Sequence, residues 1–263
     1  MDHALNGRCA LVCGASQGIG RACAQAIAEL GACVIIVSRR AEAAKAAADA
    51  LPTPNGQHHL SIEADLDDPD SVTRLGADAV RLAGGAVHIL IHNTGGPPEG
   101  GPLTNSADDY ARAFRGHLLS AQSLVHALLP GMKSAKFGRI ITITSTSVKA
   151  PIPTLAISNT VRAAVAAWVK SLATEVGQFG ITANNVLPGF TATERLDELF
   201  ASWAKSAGKS VDEMTASFIA TIPARRIGRA EEIAAGVAFL ASPAASYING
   251  INLPIDGGRL PTL

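Results

Sequence analysis

The apolar run Ala10-Leu11-Val12-Cys13 stops at Gly14, and Gly18 and Gly20 follow within a few residues. Residues 21–30 are rich in good helix formers and end at Gly31, a natural helix stop. This order predicts a buried strand that turns sharply through glycines into a helix. The first N–H groups of such a helix have no partner inside it and suit a pyrophosphate. A side chain at these glycines would block the approach of a phosphate, or of the helix to the sheet. A plainer reading gives the glycines a packing role only. The flanking strand and helix favour the phosphate-binding reading.

The 263 residues suit one large α/β domain or two small ones, and 48% hydrophobic residues are ample for a core. Twenty-two basic and 22 acidic residues cancel. No basic field is available for a nucleic acid, and no basic tail for an anionic membrane. The four cysteines, Cys9, Cys13, Cys23 and Cys33, fit no zinc spacing and sit in apolar patterns. They read as small core residues in a reducing compartment, and no metal site is expected. Met1-Asp-His-Ala-Leu-Asn lacks the charged start and apolar run of a secretory leader. No run reaches the ~18 apolar residues of a membrane span. A soluble cytoplasmic protein is the expectation.

Short β-branched runs at 8–13, 33–37, 59–64, 87–92, 139–144, 181–186 and 250–254 are candidate strands. Several are almost wholly apolar, as parallel strands covered on both faces are. Helical stretches lie near 18–30, 40–50, 69–83, 106–130, 155–178 and 230–241. The alternation predicts a Rossmann-type doubly wound parallel sheet of about seven strands in one domain, 1–263. Segments 94–105 and 189–228 are expected to be irregular. Ligands of such sheets lie beyond the carboxyl ends of the strands.

With these elements in place, the chain resembles the classical short-chain dehydrogenase/reductases, close to the 3-oxoacyl-acyl-carrier-protein reductase branch. Cys13-Gly-Ala-Ser-Gln-Gly-Ile-Gly20 resembles the family's Thr-Gly-x-x-x-Gly-x-Gly, with Cys at the first place. The other similar segments are Asp65-Leu66, His92-Asn-Thr-Gly-Gly96, Gly138-Arg-Ile-Ile-Thr-Ile-Thr-Ser145, Asn185-Val-Leu-Pro-Gly-Phe-Thr-Ala-Thr193, and a C-terminal signature from Arg226 to Gly258. The resemblance implies a nicotinamide dinucleotide held by Gly14, Ser16, Gln17, Gly18, Ile19 and Gly20. It further implies adenine contacts from Asp65 and Leu66, and contacts from Asn93, Gly95, Pro188, Gly189, Thr191 and Thr193. It also implies a homotetramer or homodimer that buries helices 106–130 and 155–178, and residues 189–228 as a substrate loop or lid.

Cofactor choice follows from charge. Members that prefer NAD carry an acid at the end of the second strand. Here Ser38 stands there, followed by Arg39 and Arg40. Guanidinium groups bind a 2′-phosphate that an acid would repel, so NADP(H) is favoured over NAD(H). The plainer reading is two solvated arginines at a helix start.

The resemblance also exposes a departure. Classical members use Asn, Ser, Tyr and Lys, with Tyr moving the substrate proton and Lys lowering the Tyr pKa. In register, Ser158, thirteen residues beyond the retained Ser145, takes the Tyr place and Arg162 the Lys place. Phe114-Arg-Gly-His117 falls at the Asn place, and the only tyrosines are Tyr110 and Tyr247. An alkanol is a far weaker acid than a phenol, and Arg does not relay protons. Ser145, Ser158 and Asn159 would address a carbonyl, and Arg162 would hold a ribose hydroxyl. His117, titrating near neutrality, would carry the proton, although a satisfied core histidine is the plainer reading. Lys149 is read as a pocket-facing lysine or a surface one.

The Gly- and Pro-rich 95–102 would shape one wall of a small-molecule pocket. Phe200, Trp203, Met214 and Phe218 would cover it, or simply pack a lid or subunit contact. Two functions remain open at this point. One is an NADP(H)-dependent oxidoreductase with a remodelled site, acting on a carbonyl or secondary alcohol. The other has lost redox chemistry: a carbonyl lyase or isomerase, or a silent dinucleotide-binding subunit.

Overall fold

A computed structural model describes residues 3–262. Met1, Asp2 and Leu263, which the predicted 1–263 domain includes, lie outside the described residues, as do the first two residues of the segment read for a leader. The elements are β1 (Cys9–Cys13), α1 (Gly18–Glu29), β2 (Cys33–Ser38), α2 (Ala41–Asp49), β3 (Leu60–Glu63), α3 (Pro69–Leu82), β4 (Ile89–His92), α4 (Ala107–Phe114), α5 (Ser120–Ser134), β5 (Gly138–Ile143), α6 (Ala156–Val176), β6 (Ile181–Pro188), α7 (Glu194–Ala207), α8 (Val211–Ala220), α9 (Ala230–Ala241) and β7 (Asn252–Ile255).

Seven strands among the described residues form one sheet in the order β3-β2-β1-β4-β5-β6-β7, with every pairing parallel. β1, β4, β5 and β6 are buried along their whole length because helices cover both faces. On one face α1, α2 and α9 pack Ile27, Ala44 and Val237 against Val12, Ile36 and Ile91. On the other, α3, α5 and α6 pack Leu75, Leu124 and Val169 against Leu11, Ile35 and Leu90. Full burial of one such aliphatic side chain is worth about 1.5–3 kcal/mol. Cys9, Cys13 and Cys23 are buried in these layers, and Cys33 is half-buried with its thiol donating to the His58 carbonyl at 2.8 Å.

The chain winds outward from β1 to β3, then returns to lay β4 against the other side of β1. This reversal is the switch point where open α/β sheets bind ligands.

Two expectations need correction. The predicted helix 106–130 is not continuous. A π-helical turn, Arg115–Leu119, separates α4 from α5, and α5 runs past Pro130 to Ser134. Such wide turns occur at functional sites, and this one carries His117. Segment 189–228 is not wholly irregular, since it contains α7 and α8. Ser210 and Glu213 form a capping box on α8, and Thr193 caps α7 through the Leu196 N–H. Among the described residues no helix is long and apolar enough to cross a membrane.

Candidate active site

The carboxyl ends of the strands open into a cavity of about 1600 Å³. Gly14, Ser16, Gln17, Gly18 and Ile19 border it from the loop after β1. Ser38, Arg39 and Arg40 enter after β2, Asp65 and Leu66 after β3, and Asn93 and Gly95 after β4. His117, Ser145, Ser158, Arg162, Pro188, Gly189, Thr191 and Thr193 complete the predicted set on the same wall. Gly20 is the exception and lies behind the loop. A Cβ there would stand 2.2 Å from the Gly14 carbonyl oxygen. The absence of a Cβ lets α1 pack closely under the loop.

The cradle end is made of backbone. Gly14 has φ +59°, and a Cβ on it would meet the Asn93 carbonyl at 2.7 Å. Asn93 Nδ2 in turn donates to the Gly14 carbonyl at 3.1 Å, which locks the ends of β1 and β4 together. No side chain caps α1 at Gln17. The N–H groups of its first turn are left for an anion. These features fit the pyrophosphate of a dinucleotide. Beside them, Ser38 Oγ donates to Ser16 Oγ at 3.2 Å and Arg40 Nη2 donates to Gln17 Oε1 at 2.7 Å. Across the groove, burial and the neighbouring Asp65 push the Asp67 carboxyl up, while Arg39 pulls it down.

The other end is made of side chains. Ser158 and Arg162 are one turn apart on α6 and therefore share a face. Arg162 is only 9% exposed. Its Nε donates to Ser158 Oγ at 3.1 Å, and its Nη1 donates to the carbonyls of Ile143 and Thr144 at 3.0 and 2.7 Å. Burial, then the nearby Arg195, lowers its pKa to about 10, so it stays a cation at neutral pH. Ser145 Oγ accepts from the Ser147 N–H at 3.1 Å. Each serine oxygen thus receives an N–H, and each hydroxyl proton is left for another acceptor.

His117 does not behave as expected. It is 7% exposed and its Nδ1 lies 2.6 Å from Thr94 Oγ1. Burial, Arg162 and His92 hold its pKa well below the ordinary imidazole value. It is neutral at pH 7, so no imidazolium is available there as an acid. Behind it, His92 is pushed down to about 4 by burial and Arg162. Ser120 donates to the Gly116 carbonyl at 2.6 Å, so His92 Nε2, 2.9 Å from Ser120 Oγ, carries its proton.

Two further candidates are placed elsewhere. Asn159 holds the N–H and carbonyl of Ile152 at 3.2 and 2.8 Å and so braces a loop instead of addressing a carbonyl. Lys149 does not border the cavity. Among the described residues no Tyr or Lys does. Tyr247 is fully exposed, and Tyr110 packs against Ile157 and Val161.

In the 189–228 segment, Phe190, Phe200, Trp203 and Phe218 pack on one another with ring centroids 4.9 to 6.4 Å apart. Packing among themselves is their main role, although Phe190 and Trp203 also border the cavity. Trp203 Nε1 donates to Glu99 at 2.9 Å and Arg195 Nη2 to the Pro97 carbonyl at 3.1 Å, tying α7 to the Gly- and Pro-rich loop. Thr94 and Arg195 also border the cavity, outside the set expected from the sequence. Arg195 sits in the first turn of a helix read as irregular, and only its acid-rich start with Thr193 signalled that helix.

A family model described as Enoyl-(Acyl carrier protein) reductase matches residues 14–259. The chain is 33% identical over 254 residues to the 3-oxoacyl-[acyl-carrier-protein] reductase FabG of Haemophilus influenzae, covering 97% of this chain and 98% of that protein. Against the Salmonella typhimurium FabG the identity is 35% over 252 residues, covering 96% and 97%. Among solved structures, L-sorbose reductase from Gluconobacter frateurii, complexed with NADPH and L-sorbose, superposes with a TM-score of 0.93 at 30% identity over all of both chains. YwfH, an NADPH-dependent reductase involved in bacilysin biosynthesis, gives 0.91 at 27% identity, covering 97% and 99%.

Proposed function

The chain belongs to the short-chain dehydrogenase/reductase family, and from that premise we propose an NADP(H)-dependent oxidoreductase acting on a carbonyl or secondary-alcohol substrate. On this reading the site is non-standard, with Ser158 and Arg162 where the family has Tyr and Lys. One observation carries the proposal: Ser145 and Ser158 each accept an N–H through Oγ, the second from the buried Arg162 guanidinium, and all three border the cavity at the carboxyl ends of the strands.

Gly14, Ser16, Gln17, Gly18 and Ile19 would hold the pyrophosphate, and Asp65 and Leu66 the adenine. Arg39 and Arg40 favour the 2′-phosphate of NADP(H), with Ser38 making room for it. Asn93, Gly95, Pro188, Gly189, Thr191 and Thr193 would place the nicotinamide, with Arg162 on its ribose. The bound nicotinamide would supply the hydride. Ser145 and Ser158 donate to the substrate oxygen and polarise it. Arg162 enforces the Ser158 orientation and offsets negative charge growing on that oxygen. The final proton comes from solvent, because His117 is neutral. Loss of a positioned acid costs typically ~10²–10⁴ in rate, so modest turnover is expected. The family premise also carries a homotetramer or homodimer through α4, α5 and α6, which a sedimentation measurement would test.

Purified protein with NADPH and a panel of ketones, oxo acids and oxo esters is expected to consume NADPH, and Ser145→Ala to abolish most of that signal. Silence across the panel, with Ser158→Tyr plus Arg162→Lys gaining turnover, would overturn the redox reading in favour of a chain that has lost it.

A further inference from the structure

Arg162 is a buried cation that no carboxylate compensates. Its Nε and Nη1 are bonded to Ser158 and to two backbone carbonyls, which leaves Nη2 for the cavity. Buried charges are ordinarily paired, because an uncompensated one costs several kcal/mol. The charged neighbour that Arg162 does feel is a second cation, Arg195, from the first turn of α7. Arg195 borders the same cavity, with its Nε against Gly96 and its Nη2 on the Pro97 carbonyl.

The acids nearby are engaged elsewhere. Glu194 accepts from Gln17 Nε2 at 2.7 Å on the cradle side, and Glu99 accepts from Trp203. The exposed Glu198 meets Arg195 only through Nη1, at 3.4 Å. Asp109 and Arg112, also on the wall, cancel each other at 2.8 Å. The substrate end is therefore a half-enclosed pair of guanidinium groups next to two hydroxyl donors.

We propose that the substrate is an oxo acid, or the matching hydroxy acid, whose carboxylate is held by Arg195 in the uncompensated field of Arg162, which keeps its Nη2 for the cofactor ribose, while its carbonyl meets Ser145 and Ser158. The carbonyl half rests on the redox reading above; the anion half does not. Planar guanidinium forks match a carboxylate, and withdrawal from water strengthens the contact. Ile152, Leu155 and Leu199 on the adjoining wall leave an apolar berth for an aliphatic remainder.

The test compares 4-methyl-2-oxopentanoate, 3-oxohexanoate and 4-oxopentanoate, each with its methyl ester, under saturating NADPH. At least one acid is expected to exceed its ester in kcat/KM by about 10- to 100-fold. Arg195→Gln should raise KM for that acid by a similar factor and affect the ester several-fold less, and Arg195→Lys should recover part of the acid-specific loss. Equal turnover of acids and esters, or an Arg195→Gln variant with unaltered KM for the acid, would overturn the inference and leave the redox reading intact. If neither acid nor ester is turned over, calorimetric titration of the NADP⁺-loaded protein decides the anion half. Acid binding that the ester lacks and Arg195→Gln weakens supports it; absent or equal binding overturns it.

Discussion

The two ends of the cavity are built from different material. At the β1–α1 end the ligand-facing surface is backbone: Gly14, Gly18 and an uncapped helix start, with Gly20 packed beneath. At the other end it consists of side chains from the loop after β5, from α6 and from the π-helical turn, held by a few specific bonds to Ser145, Ser158, Arg162 and His117. The backbone end tolerates almost no substitution but demands little chemical identity beyond the absence of Cβ. The side-chain end can exchange one functional group for another without disturbing the sheet. A fold can therefore keep a binding cradle while its chemistry is rewritten.

That contrast can be broken at several points. Gly20→Val drives a side chain into the Gly14 carbonyl, and NADPH affinity by fluorescence titration should fall by about 100-fold or more with circular dichroism retained. Unchanged affinity would mean that the loop geometry is not set by this packing. Ser145→Ala removes a donor to the substrate together with the acceptor of the Ser147 N–H, so kcat should drop by about 100-fold with NADPH affinity unmoved.

His92 lies behind both ends and offers a stability test. Its folded pKa of about 4 lies below the unfolded value, so protonation favours the unfolded chain. Stability is full above about pH 6.5 and falls as pH drops towards 4. Between pH 7 and 5 denaturant unfolding should register a loss of about 2 kcal/mol from this group, and His92→Gln should flatten that slope. Arg39→Ala should weaken NADPH about 10-fold and leave NADH alone; equal losses for both would remove the argument for NADP preference. Lys149→Ala, off the cavity wall, should keep kcat/KM within about twofold. A larger loss would move the boundary of the side-chain end.

Much of the fold was legible because local pattern and tertiary demand agree there. The wholly apolar Val34-Ile-Ile-Val37 can only be a strand covered on both faces, and it is one. The glycine loop was equally legible, since the strand before it and the helix after it are defined by residues nearby in sequence. Reading failed where long-range packing decides. Segment 189–228 reads as irregular or as an amphipathic lid, yet Phe190, Phe200, Trp203 and Phe218 gather it around two helices. Residues 106–130 carry a helical pattern throughout, and nothing local marks the π turn at Arg115–Leu119.

The sequence by itself determined the parallel sheet, the glycine cradle, the pairing of Ser158 with Arg162 one turn apart, and the two arginines after β2. Each depends on spacing along a single element. Only the tertiary structure decided the electrostatics. Burial made His117 a neutral imidazole instead of an acid, turned Asn159 to a loop, moved Gly20 behind the wall and brought Arg195 to Arg162. Charge state and desolvation depend on what surrounds a group in three dimensions, and the residues that surround these four come from elements far apart in the chain.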